Sequence, residues 1–147
     1  MPPTRRTFRT LAVTGAALGA TLLAVPSATA ATAAPVLTVT PDTGLSDGQK
    51  VTVSGTGYPA GAQVAVAECD LDFSQRASCA AGSKTAIVKE DGTFSAEVTV
   101  NKAFTGYDPS TGAEVDKVDC AAQSCGIATV DVTDVNKVLG VKEISFT

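Results

Sequence analysis

The chain has 147 residues, of which 11 are basic, 15 acidic and none is histidine, a formal charge of −4. That length suits one domain, the missing histidine removes Ser-His-Asp and Cys-His catalytic sets, and the acidic balance disfavours direct binding to nucleic acid. Aromatic residues make up only 5% of the chain and none is tryptophan, so Val, Ile and Leu must supply most of any core.

The first element is a leader. MPPTRRTFRT carries the positive start, LAVTGAALGATLLAV the uncharged apolar stretch and PSATAATAAP the small residues with two A-T-A cleavage sites, the pattern of a secretory signal. Thr4-Arg5-Arg6-Thr7-Phe8 has the form of a twin-arginine export signal, the general secretory route being the alternative. Cleavage after Ala30 or Ala33 is expected, and no second apolar stretch follows to act as a membrane anchor. The expected division is therefore a signal over residues 1–33 and a secreted, extracellular domain over residues 34–147. Losing Arg5, Arg6 and Arg9 leaves 8 basic against 15 acidic residues, a formal charge of −7.

Beyond the leader the apolar residues alternate. VLTVT from Val36, KVTVS from Lys50, AQVAVAE from Ala62, KTAIVK from Lys84, TFSAEVTV from Thr93, EVDKV from Glu114, IATVDV from Ile127 and VKEISF from Val141 all read as half-buried strands. Turn signals separate them, among them Ser46-Asp47-Gly48, Pro59-Ala60-Gly61 and Asp91-Gly92. No amphipathic helix is evident. Seven or eight short strands with turns at this spacing predict an all-β sandwich, because each strand can bury one face only against a facing sheet.

Four cysteines in an exported chain sit where disulfides persist, and their positions, 69, 79, 120 and 125, divide them into two local pairs, although three pairings are formally possible. A zinc site is disfavoured, since there is no histidine and no C-x-x-C. No metal is expected. Chain entropy assigns about 2.5 to 3 kcal/mol to a bond closing the first loop and about 2 kcal/mol to one closing the second.

Glu68, Asp70 and Asp72 alternate, so an extended strand would set three carboxylates on one face. The ordinary outcome is a solvated acidic rim; the sharper one is a cleft wall that pairs with a cationic group on a small molecule, with Ca²⁺ a weaker fit. Lys84 reads as a surface lysine or a ligand contact, Phe73 as a core plug or an exposed contact, and Tyr107 as a half-buried turn or a binding lip. Glu114 and Asp116 are paired acids, yet nothing positions a matched acid and base for glycoside hydrolysis. No enzyme is expected.

Taken in order, TVTPDTGLSDGQKVTVSGTGYPAGA, the two cysteine spacings, Phe104-Thr105-Gly106, Val118-Asp119-Cys120 and Ile144-Ser145-Phe146 resemble the neocarzinostatin family of antitumour antibiotic apoproteins across residues 34–147. The resemblance implies an immunoglobulin-like seven-stranded sandwich with a small β-ribbon beside it, and a cleft that holds an enediyne-type chromophore non-covalently. It implies the pairings Cys69–Cys79 at the cleft base and Cys120–Cys125 at its side. Leu71 stands where the family has a tryptophan, Lys84 and Ser110 where it has phenylalanines, and Gly126 where it has a glutamine; Ala128 and Val130 take the small or hydroxyl positions that follow. Together with Phe73 and Tyr107 these are the candidate ligand contacts. The implied partner is the chromophore alone, with DNA reached only through it after release, antibacterial activity belonging to the complex, and a monomeric protein. The alternative is an extracellular adhesion or recognition module of the same fold without a chromophore.

Overall fold

In β2 (Gln49–Thr56) Val51 and Val53 are buried while Lys50, Thr52 and Thr56 are exposed, the period-two pattern that lets a strand bury one side. The computed structural model describes residues 33–72, 74 and 76–147. The leader expected over residues 1–33 falls almost wholly outside the described residues, as does Phe73.

β2 pairs with β1 (Val36–Thr40) and β6 (Phe94–Val100) in an antiparallel three-stranded sheet. The second sheet runs from β10 (Asp134–Ile144) through β9 (Cys125–Asp131) to β3 (Gln63–Asp70), whose first half also pairs with β5 (Lys84–Ile87). Beyond the second half of β3 lie β4 (Cys79–Ala80), β7 (Ala103–Tyr107) and β8 (Glu114–Asp119). β1, β2 and β6 facing β10, β9, β3 and β5 make the seven-stranded immunoglobulin-like sandwich; β4, β7 and β8 are the ribbon beside it.

The core lies between the sheets. Leu37, Val39, Val51, Val53, Val98 and Val100 come from one side, and Val64, Val66, Ile127 and Ile144 from the other. Each such side chain contributes roughly 1.5 to 3 kcal/mol by leaving water, and the short branched residues fill the space that large rings would otherwise occupy. The aromatic exception is Tyr58, whose ring meets Phe94 edge to face at 4.9 Å. Its hydroxyl donates to Thr129 Oγ1 at 2.9 Å, and that hydroxyl donates in turn to Gly140 O at 3.2 Å. A Cβ at Gly140 would run into the Tyr58 hydroxyl, so the smallest residue is needed where β10 crosses this ring.

Three elements exceed the sequence expectation, the first being β4, whose two residues are too few to show a period. β7 was not expected as a strand, because Ala103–Tyr107 is only half-buried and shows no clean alternation. β10 begins at Asp134 rather than Val141, since its first half mixes Asp, Asn and Lys with Val and its register shifts twice against β9. Both disulfides are local: Cys69 bonds Cys79, its cross-strand partner, and Cys120 bonds Cys125.

Candidate binding cleft

Alternation along β3 gives the sheet two different faces. Val64, Val66 and Glu68 point into the sandwich, and Ala65, Ala67 and Cys69 point outward. On β9 the register sets Val130 opposite Ala65, Ala128 opposite Ala67 and Gly126 opposite Cys69. The outer face is thus a ladder of small side chains, and it forms the floor of a cleft of about 720 Å³.

The ribbon side supplies one wall, with Arg76, Cys79 and Ala80 below and Tyr107, Asp108 and Ser110 above; Val135, Asn136 and Val138 of β10 supply the other. Cys69 and Cys79 both line the cleft, so the disulfide fastens floor to wall directly where they meet. That bond resists opening of the two surfaces a ligand would wedge apart. At the rim Ser110 donates its N–H and hydroxyl to Asp108. These bonds, with the charge of Arg76 as a smaller contribution, hold the Asp108 carboxyl below its usual range. Such a site can hold an apolar body on the floor and meet polar groups at the mouth.

Of the expected contacts, the cleft brings together Tyr107, Ser110, Ala128 and Val130. The others are placed differently. Leu71 lies over Gly126, where a Cβ would approach the Leu71 Cδ1 to 2.8 Å and Lys142 O to 2.6 Å. Gly126 therefore admits a neighbouring side chain and the β10 backbone rather than a ligand, and Leu71 closes that end of the floor. Lys84 is exposed on β5 opposite Val66, whose side chain faces the core, so register puts Lys84 on that same side of the sheet, away from the cleft.

The acidic set is also not a rim of the cleft. Glu68 and Asp70 are buried, because even-numbered residues of β3 face away from the Ala65–Ala67–Cys69 side. Asp70 accepts from the Asp72 N–H and from Gln123 Nε2, each at 2.9 Å. Asp72 is exposed, and the hydroxyl and N–H of Ser74 keep its carboxyl below the usual range.

Sequence reasoning missed Ala65, Ala67, Arg76 and Val138 as lining residues. A signal existed in QVAVAEC, where alanines alternate with valines: a strand with bulk on one side and small residues on the other is built to approach something on the small side.

The sequence model of the neocarzinostatin family matches residues 37–146. The chain is 37% identical over 123 residues to the antitumor antibiotic C-1027 apoprotein of Streptomyces globisporus, covering 84% of this chain and 83% of the relative. It is 35% identical to macromomycin of Streptomyces macromomyceticus, covering 82% and 85%. The solved structure of macromomycin superposes with a TM-score of 0.71 at 30% identity over 78% of this chain and all of that one. A shared sandwich and a family match across nearly the whole described chain lead to one conclusion: the protein belongs to the neocarzinostatin family.

Proposed function

We propose that the protein is an exported, monomeric carrier that holds a small apolar chromophore of enediyne type in the cleft, shields it from water and releases it. The observation that carries this reading is the 720 Å³ cleft floored by Ala65, Ala67, Ala128 and Val130. Its volume lies within the range of small-molecule sites. Its floor side chains stand outside the main core cluster, which occupies the opposite face of the same sheet. Relatives named as apoproteins, proteins lacking a partner group, support the same reading.

The floor would hold a flat apolar group, Tyr107 would meet its edge, and Arg76 with Asp108 would take polar substituents at the mouth. The bound group supplies the reactive chemistry, including antibacterial damage to DNA after release; the protein excludes water and performs no catalysis. A second reading rests on Tyr107 being the one aromatic ring among the described lining residues: an extracellular recognition module that keeps the sandwich and carries no chromophore. Absorbance and mass spectrometry of protein purified from its producing culture separate the two. A co-eluting small molecule of defined mass is expected. Protein that elutes clean, and that takes up no apolar aromatic compound when offered one, would overturn the carrier reading.

A further inference from the structure

Among the described residues, the large hydrophobics left most exposed are Val36, Ile87, Val132, Val138 and Val141. Ile87, Val138 and Val141 share the outer face of the larger sheet, and Val132 lies in the turn between β9 and β10. Val138 pairs with Val130 and Val141 with Ala128, both on the floor side. Ile87 pairs with Gln63, two residues before Ala65 on the same face. In the turn that follows β9, the Val132 N–H donates to Gln63 O at 3.1 Å, which sets Val132 beside Gln63 one step past the Val64–Asp131 pair.

Ile87 of β5, Gln63 of β3 and Val132 of the β9–β10 turn therefore form a row about 10 Å wide and about 7 Å beyond Ala65. None of the three lines the enclosed cleft. Branched aliphatic side chains at 71% and 37% exposure, one pair of residues beyond Ala65, extend the apolar floor toward solvent. The row is far smaller than the roughly 800 Å² per partner that a stable protein interface buries, and it is continuous with a small-molecule cleft.

We propose that the ligand of the cleft carries a second apolar arm that leaves the enclosed part along β3 and rests on Ile87 and Val132, which makes these two residues determinants of ligand length. This rests on the cleft-binding reading. The arm is selected by size and by apolar contact with Ile87 and Val132, the exposed Gln63 amide between them leaving room for one hydrogen bond and none of the three offering a charge.

The test uses the secreted protein with two fluorescent probes, anilinonaphthalene sulfonate as the compact one and its covalent binaphthyl dimer as the extended one. The dimer is expected to bind more tightly. Replacing both exposed residues, Ile87→Ser with Val132→Ser, is expected to weaken the dimer about tenfold while leaving the compact probe within about twofold. Ala67→Trp, which fills the floor, is expected to abolish both. If the compact probe binds and the double replacement leaves the dimer unchanged, or weakens both probes alike, the arm is overturned and the cleft stands. If neither probe binds the unaltered protein, or Ala67→Trp changes nothing, the cleft reading fails and the arm with it.

Discussion

Glu68 Oε2 accepts a 2.9 Å hydrogen bond from the backbone N–H of Asn101, at the corner where the chain leaves β6 for β7, while its Oε1 is buried with no partner among the described residues. Burial, aided by the negative charge of Asp47 and opposed by the Asn101 bond, pushes the carboxyl up to about 7 from an ordinary value near 4.5. The folded state then binds this proton more tightly than the unfolded chain. Stability is expected to fall as pH rises from about 4.5 through 7, by on the order of 3 kcal/mol. Asp72, Asp91, Asp108 and Asp131, held low by neighbouring Ser or Thr hydroxyls, contribute in the opposite sense, and that part is lost as pH drops below their unfolded value. Melting temperatures followed from acid to alkaline pH should peak in the mildly acidic range. Glu68→Gln should flatten the descent above pH 5, and an unaltered descent in that variant would refute the assignment.

Removing the Cys69–Cys79 bond as the double replacement with alanine is expected to cost about 2.5 to 3 kcal/mol, and replacing Cys120 with Cys125 about 2 kcal/mol. Denaturant titration reads both. The first pair should also weaken probe binding, since it ties cleft floor to wall; the second, outside the lining, should not.

The Tyr58–Thr129–Gly140 chain predicts an unequal pair of variants. Tyr58→Phe leaves Thr129 still donating to Gly140 O and should cost about 1 kcal/mol. Thr129→Val strands the buried Tyr58 hydroxyl and should cost about 1 to 3 kcal/mol. Equal losses in urea unfolding would show that the two hydroxyls are not linked in the order given.

Gly126→Ala is expected to destabilise by about 1 to 3 kcal/mol, because the added methyl meets Lys142 O and Leu71 together. Adding Leu71→Ala should not restore stability, since the backbone carbonyl remains. Full recovery in the double variant would place the obstruction on Leu71 alone.

Much of the sandwich was legible because its strands bury one face: TFSAEVTV announces β6 by alternation, and the cysteine spacings anticipate both bonds. β7 escaped because a ribbon strand is half-exposed on both sides and lacks that period. The cleft was legible only in part. Ala128 and Val130 were reached through the family resemblance, whereas Glu68 and Asp70, read as a solvated rim or a cleft wall, turn inward, because alternation groups residues by face without saying which face turns inward. Ala65 and Ala67 went unremarked because a small side chain signals function only once the space above it is known to be open.

The two sides of β3 answer to different demands. Valines on one side hold the sheets together, and alanines on the other line the cleft and stand outside the core. Replacements at Ala65 and Ala67 can therefore accumulate without emptying the core, so cargo preference is free to drift, or to be redesigned, over an unchanged scaffold.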